Sequence, residues 1–490
     1  MRRRGRHPSV PAFASVSTLA ATAVAVAVGC STVVAGEPVS VFADPFKVAG
    51  MRAVDGPTGL RPGAQEKSRG VTDGDGGKID QIAGASVSDI EEYWEGAYSE
   101  VFPGSFKPVS QLVSWDADDY EGTFCEEDTY GLVNAAFCPL DSSIGWDRGV
   151  LLPALRRANG DMAITMVLAH EYGHSVQKQA RLNKRGTSVL VAEQQADCLA
   201  GTYMRWVAEG NSPRFTLSTG DGLNNLLAGM ISFRDPLLSV VDVYSGGAGD
   251  EHGSAFERIS AFQFGFIDGP SACAAIDDKE VAQRRGDLPV ALQRDDSGDW
   301  PVSEESVKAI VDAMNILFRP AQPPTLTFDA ASAAACPDAR PSPPASYCPS
   351  TNTIAVDLPA MEKLGTPQDG EDASVLSGDN SAYSVLMSRY MVSLQHQRGG
   401  LVLDNAEAGL RTACLTGVAT TKLADGVSTP DGNTVALTAG DLDEAVAGLL
   451  TNGLAAGDVN GEPVPAGFSR IDAFRIGVLG DQERCLKRFP

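Results

Sequence analysis

Histidine is scarce in this chain: five in 490 residues. Two of the five, His170 and His174, fall four positions apart with Glu171 between them. Positive charge is also short, with 39 Lys and Arg against 63 Asp and Glu, a net charge of −24. That balance excludes a nucleic-acid partner, because phosphate binding wants a basic surface. No C-x-x-C pair occurs among the nine cysteines, so a redox role of the thioredoxin kind has no footing. The apolar run near the N-terminus is too short and too Ala-rich to read as a membrane span.

That run instead reads as an export signal. The basic "MRRRGRH" precedes "ASVSTLAATAVAVAVGC", which ends at Cys30, the order of an n-region and an h-region over residues 1–30. "AVGC" resembles a bacterial lipoprotein processing box, although Ala27 stands where Leu is usual. Lipidation of Cys30 would anchor the chain at the outer face of the cell membrane. The alternative is cleavage after "VVA" at Ala35, releasing a secreted protein. Residues 31–80 are rich in Gly, Asp and Pro and read as a flexible tether.

The remaining length suits more than one domain, and 43% hydrophobic content supplies real cores. Residues 81–280 and 303–490, joined by a polar linker at 281–302, look like copies of each other. "CPLDSSIGWD" at Cys138 matches "CPSTNTIAVD" at Cys348, and "VLAHEYGHSVQ" at Val167 matches "VLMSRYMVSLQ" at Val385. "ADCLAG" at Ala196 matches "TACLTG" at Thr412, and "ERISAFQFGF" at Glu257 matches "SRIDAFRIGV" at Ser469. Four collinear matches at a near-constant offset read as an internal duplication. The period is too long for a solenoid and fits two tandem domains.

Setting Cys30 aside leaves eight cysteines, four per copy: Cys125, Cys138, Cys198 and Cys273, then Cys336, Cys348, Cys414 and Cys485. An even number in an exported chain suggests disulfides. Four cysteines allow three pairings. The preferred set joins Cys125 to Cys138 and Cys336 to Cys348 as local loops, with Cys198–Cys273 and Cys414–Cys485 as long closures. A buried free thiol at Cys198 is the plainer alternative.

"NGDMAITMVLAHEYGHSVQKQARL" has apolar residues at helical spacing, with Asn159 or Asp161 available to cap its start. Residues i and i+4 share a helix face, so His170 and His174 can ligate one metal. Glu171 lies about 100° round the axis, in reach of a water held there. Gly173 inside a helix costs about 1 kcal/mol relative to Ala, tolerable where something must approach the backbone. The next helical segment, "VLVAEQQADCLAGTYMRWVAEG", places Glu193 and Asp197 four apart. Glu193 can complete a His2Glu zinc site, and Asp197 can accept the free imidazole N–H of a ligand histidine. In the swapped assignment Asp197 binds the metal.

"HEYGHSVQ", "EQQADCLAG" and "HGSAFERISAFQFGF", with "FCPLDSSIGWD" upstream, resemble the bacterial neutral zinc metallopeptidases, over about residues 85–275. The whole chain resembles actinobacterial secreted peptidase lipoproteins. The resemblance implies a zincin-like α+β fold, mainly helical around the site. It also implies Zn2+ on His170, His174 and Glu193, Glu171 as general base, and a peptide or protein substrate. His252 is a candidate to steady the oxyanion; in the plainer reading it only caps the next helix. Tyr172 and Tyr203 are weaker options.

In the second copy, Ser388, Arg389, Val392, Gly409 and Ala413 stand where the first has His170, Glu171, His174, Glu193 and Asp197. Apolar positions and cysteines persist. The expectation is an exported zinc peptidase with one working and one degenerate domain. The alternative is a non-catalytic binding or scaffolding lipoprotein with a structural zinc.

Overall fold

The aspartate that ends "IGWD" explains how the first sheet hands the chain to its helices. In the computed structural model, strand β3 (Ser143–Asp147) finishes at Asp147, whose carboxylate accepts backbone N–H groups from Gly149, Val150 and Leu151. Those donors start helix α2 (Leu151–Asn159) and would otherwise be orphaned. The structure describes residues 44–490, except 65–67, 120–121, 233, 235–251, 293–297 and 368–375. The export signal and Cys30 therefore lie outside the described residues.

Helix α1 (Lys78–Val101) precedes a three-stranded sheet of β1 (Leu112–Trp115), β2 (Ala135–Cys138) and β3, in the order β1-β3-β2. β3 is parallel to β1 and antiparallel to β2. After α2 come α3 (Asp161–Ala180), α4 (Val189–Ala208), α5 (Asp221–Ser232), α6 (Ala255–Asp268), α7 (Pro270–Ala274) and α8 (Asp278–Arg285). Helix α9 (Glu304–Phe318) leads into a second sheet, β4 (Thr325–Thr327), β5 (Ala345–Cys348) and β6 (Thr353–Val356), ordered β4-β6-β5 with the same strand directions. Helices α10 (Leu358–Leu364), α11 (Asp379–Arg398), α12 (Ala406–Lys422), α13 (Asp441–Thr451), α14 (Gly467–Val478) and α15 (Gln482–Arg488) follow. The fold class is α+β, helix-rich.

α4 and α6 pack with their backbones almost touching. A Cβ on Gly201 would lie 2.2 Å from the Phe262 carbonyl oxygen, and one on Gly265 would lie 1.8 Å from that of Cys198. Between α12 and α14, Gly417 stands 2.2 Å from the Phe474 oxygen and Gly477 1.8 Å from that of Cys414, measured the same way. Only glycine permits these approaches. The cysteines form Cys125–Cys138, Cys198–Cys273, Cys336–Cys348 and Cys414–Cys485 disulfides, the pairing preferred from the sequence.

Three expectations need correction. The halves are not separated by a free linker: their apolar side chains merge into one core. Phe266 and Phe468 rings lie 5.0 Å apart, Gln263 Nε2 donates to the Phe468 carbonyl at 3.0 Å, and Arg475 Nε donates to Gln263 Oε1 at 3.0 Å. Apolar and polar contacts together join α6 to α14. The expected tether is, from residue 44 on, largely folded onto the body. Val48 is buried, Gly59–Leu60 pairs antiparallel with Phe215–Thr216, and Ser469 Oγ donates to the Lys47 carbonyl. Finally, the residue flanking the start of α3 is Gly160, at φ 81, rather than Asn159 or Asp161. Asn159 ends α2, and Asp161 pairs with Arg156 at 2.7 Å.

Candidate metal centre

The site is made where α3 and α4 run close together. Gly173 is the point of contact: a Cβ there would lie 2.9 Å from the Ala196 Cα. The glycine expected to admit a close neighbour admits helix α4. Arg181, in the left-handed region at φ 55, ends α3, and the Ser188 side chain caps α4 by accepting from Val191 N.

Across this seam His170 Nε2 lies 3.0 Å from Glu193 Oε2, and His174 Nε2 lies 3.4 Å from Glu193 Oε1. The three ligand atoms all fall within 4.8 Å of one another. Ligands about 2.0–2.1 Å from one tetrahedral zinc stand roughly 3.3 Å apart, and the two His–Glu193 distances of 3.0 and 3.4 Å are close to that spacing. The chemistry agrees with the distances: two imidazoles and a carboxylate suit zinc. His252 Nε2 is 3.7 Å from Glu193 Oε2, on the more open side.

The outer partners orient the imidazoles. His170 Nδ1 donates to Asp197 Oδ1 at 2.8 Å, which turns Nε2 toward the centre. Asp197 is fully buried and is held by Arg258, whose Nε donates to Oδ2 at 2.8 Å and whose Nη2 donates to Oδ1 at 2.9 Å. Burial pushes the Asp197 carboxyl up, but Arg258 and then His170 outweigh it and bring it down to about 2. Burial pulls His170 down, while Asp197 and Glu193 together lift it to about 10. Glu193 is held well below the usual carboxylate range: burial opposes this, and His170 and His174 prevail. Half-buried Glu193 thus faces both imidazoles while buried Asp197 backs one of them, a negative setting that suits a cation.

His174 Nδ1 donates to Gln177 Oε1 at 3.0 Å, and Gln177 Nε2 in turn donates to the Ala192 carbonyl of α4. Glu171 sits beside the centre, with Oε2 accepting the Phe137 backbone N–H of β2 at 3.0 Å. Asp197 therefore sits behind His170, away from the ligand cluster. The Tyr172 hydroxyl donates to Glu91 and the Tyr203 hydroxyl to Asp89, both on α1, which removes the two tyrosines from the site. Capping of α6 falls to Ser254 with Glu257, so it is not the work of His252.

A model of the family described as "Putative neutral zinc metallopeptidase" matches residues 21–276. The chain belongs to this family. No curated protein and no solved structure matched it. The match to the neutral zinc metallopeptidase family covers both helices of the cluster and α6, which supplies Arg258. The sequence reading gave no role to Arg258 or Gln177. Both lie inside the motifs "FERIS" and "HSVQ" that carry the family resemblance, which was the signal the sequence held.

In the second half, the position that the sequence match sets against Glu171 is filled by the chain itself. Arg389 is fully buried, Nη1 donating to the Asp458 carbonyl at 2.6 Å and Nη2 to that of Leu454 at 2.8 Å. A Cβ at Gly409 already lies 2.7 Å from the Ala456 oxygen. Among the described residues His396 is the nearest histidine in sequence, and it faces Tyr347 instead.

Proposed function

We propose that the chain is an exported zinc-dependent peptidase whose working centre is His170, His174 and Glu193 on zinc with Glu171 as general base. The observation that carries the reading is the convergence of three ligand atoms within 4.8 Å beside a carboxylate that opens to a cavity. Zinc at this centre would supply Lewis acidity, lowering the pKa of water and polarising a carbonyl. Glu171 takes the proton of the attacking water and hands it to the leaving amine. The Phe137 N–H fixes Glu171 by one oxygen. Asp197, clamped by Arg258, keeps His170 in one tautomer. His252, at the open side, donates to the oxyanion of the tetrahedral intermediate.

The two halves descend, in this reading, from one zincin-like domain, the second of them degenerate. Support comes from the shared strand order, the matching disulfides and the repeated Gly201/Gly265 and Gly417/Gly477 contacts. Arg470, the counterpart of Arg258, is still buried although its aspartate has become Ala413. The N-terminal sequence supports export and lipidation at Cys30, placing the enzyme at the outer face of the membrane, with secretion after Ala35 as the other route. Peptides or envelope proteins are the substrates expected there.

The test is metal analysis of the purified mature chain alongside cleavage of a peptide library, with and without chelator, and mass spectrometry of the N-terminal peptide. One zinc per chain and chelator-sensitive cleavage are expected. In Glu171→Gln the zinc should stay and cleavage should fall by about 10²–10⁴-fold. Zinc without any cleavage of the library would favour the scaffolding lipoprotein instead.

A further inference from the structure

The ligand cluster opens onto a cavity of about 200 Å³ between α2, α3 and α5. His170, Glu171, His252 and Arg258 line it on the metal side. These are the only ionisable groups among its described lining residues. Leu155, Ala163, Met166, Leu226 and Met230 make up much of the rest, all of them buried. A cavity of about 150 Å³ with aliphatic walls accommodates a benzene ring, so this one has room for an aromatic or a branched aliphatic side chain. A charged side chain seated against the aliphatic walls, away from the metal side, would lose its hydration without a partner there.

We propose that this cavity receives the side chain of a substrate residue flanking the scissile bond, and that the enzyme therefore cleaves beside Leu, Met or Phe. The proposal rests on the peptidase reading for its substrate. The cavity is adjacent to the base and the metal ligands, so the backbone of a residue seated in it passes the reacting centre. Ala163 and Leu155 both line the cavity: a larger side chain at 163 takes up its space, and a smaller one at 155 adds to it.

Cleavage sites in a peptide library, mapped by mass spectrometry on the full zinc-loaded chain, should be enriched in Leu, Met or Phe at one flanking position. The advantage in kcat/KM over Asp, Glu or Lys at that position should be at least about tenfold. Ala163→Leu should lower kcat/KM for a peptide with Phe at that position by about 10–100-fold and for one with Ala there much less. Leu155→Ala should shift preference toward the larger side chains. Equal rates with charged residues at both flanking positions, or a uniform loss for every peptide in Ala163→Leu, would overturn the proposal. Calorimetry on Glu171→Gln with two hydroxamates, one bearing a benzyl group and one a carboxymethyl group, separates this idea from the peptidase reading. Tighter binding of the benzyl compound by about tenfold or more supports the cavity assignment even if no peptide is cleaved. Equal affinities reject it whether or not peptides are cleaved.

Discussion

Arg258 grips Asp197 through two hydrogen bonds, Nε to Oδ2 at 2.8 Å and Nη2 to Oδ1 at 2.9 Å, 61 residues away in the chain. Asp197 in turn holds His170, so the guanidinium acts on this proposed metal ligand through one intermediary. Arg258→Leu should weaken zinc binding by about 10–100-fold, measured by competition with a chromophoric chelator. Arg258→Lys should recover only part of it, because an ammonium cannot reproduce the fork. An unchanged zinc affinity in Arg258→Leu would reduce the arginine to a packing element.

Removing the metal should loosen the centre without unfolding the chain. α3 and α4 are fixed by the shared core, and α4 also by the Cys198–Cys273 disulfide, whatever the proposed ligation adds. Dialysis against chelator should leave the far-UV circular dichroism intact and lower Tm. Saturating zinc should restore about 4 kcal/mol when present at a thousand times its Kd. Loss of helicity on chelation would show that ligation holds the helices together.

The disulfides should differ in worth. Cys198–Cys273 spans 75 residues and Cys125–Cys138 spans 13. Chain-entropy scaling assigns about 4 kcal/mol to the first and about 3 to the second. Chemical denaturation of the paired Cys→Ala variants should rank them in that order, and the reverse ranking would show that the scaling does not govern here.

Burial first, then Asp379 and Asp441, push the Glu444 carboxyl up to about 9. In the unfolded chain it titrates near 4.5. The folded state therefore holds the proton more tightly, and its stability contribution is full below pH 4.5 and lost as pH rises toward 9. Glu444→Gln, which stays neutral, should raise stability by about 1–3 kcal/mol at pH 8 and have little effect at pH 4. Thermal melts of both proteins across that range give the answer, and a benefit that grows toward low pH would refute the sign.

Placing the first half's site residues at the matching positions of the second should not build a second site. Gly409→Glu would drive a side chain into the Ala456 carbonyl, and Arg389→Glu would abandon the Asp458 and Leu454 carbonyls it satisfies. The combined variant Ser388→His, Arg389→Glu, Val392→His, Gly409→Glu should bind no second zinc and should unfold at lower denaturant. A second equivalent of tightly bound zinc would mean that the segment from Leu454 to Val464 yields easily.

Much of the centre was readable in the chain because it is local. Helical periodicity alone puts His170 and His174 on one face, and the repeated cysteine spacing narrows the disulfide pairing. Glu193 needed only the assumption that the next helix returns antiparallel. Contacts between distant segments followed no such rule. Arg258 reaching Asp197, Tyr172 and Tyr203 turning to α1, the cavity walls from α2 and α5, and the α6–α14 seam all depend on which helix faces meet. The same holds for the N-terminal stretch, whose Gly- and Pro-rich composition suggested a tether while Gly59–Leu60 found a partner at Phe215–Thr216. Residue spacing determines a face within one element. Which faces come together is decided by how whole elements bury their apolar surface, and only the tertiary structure carries that.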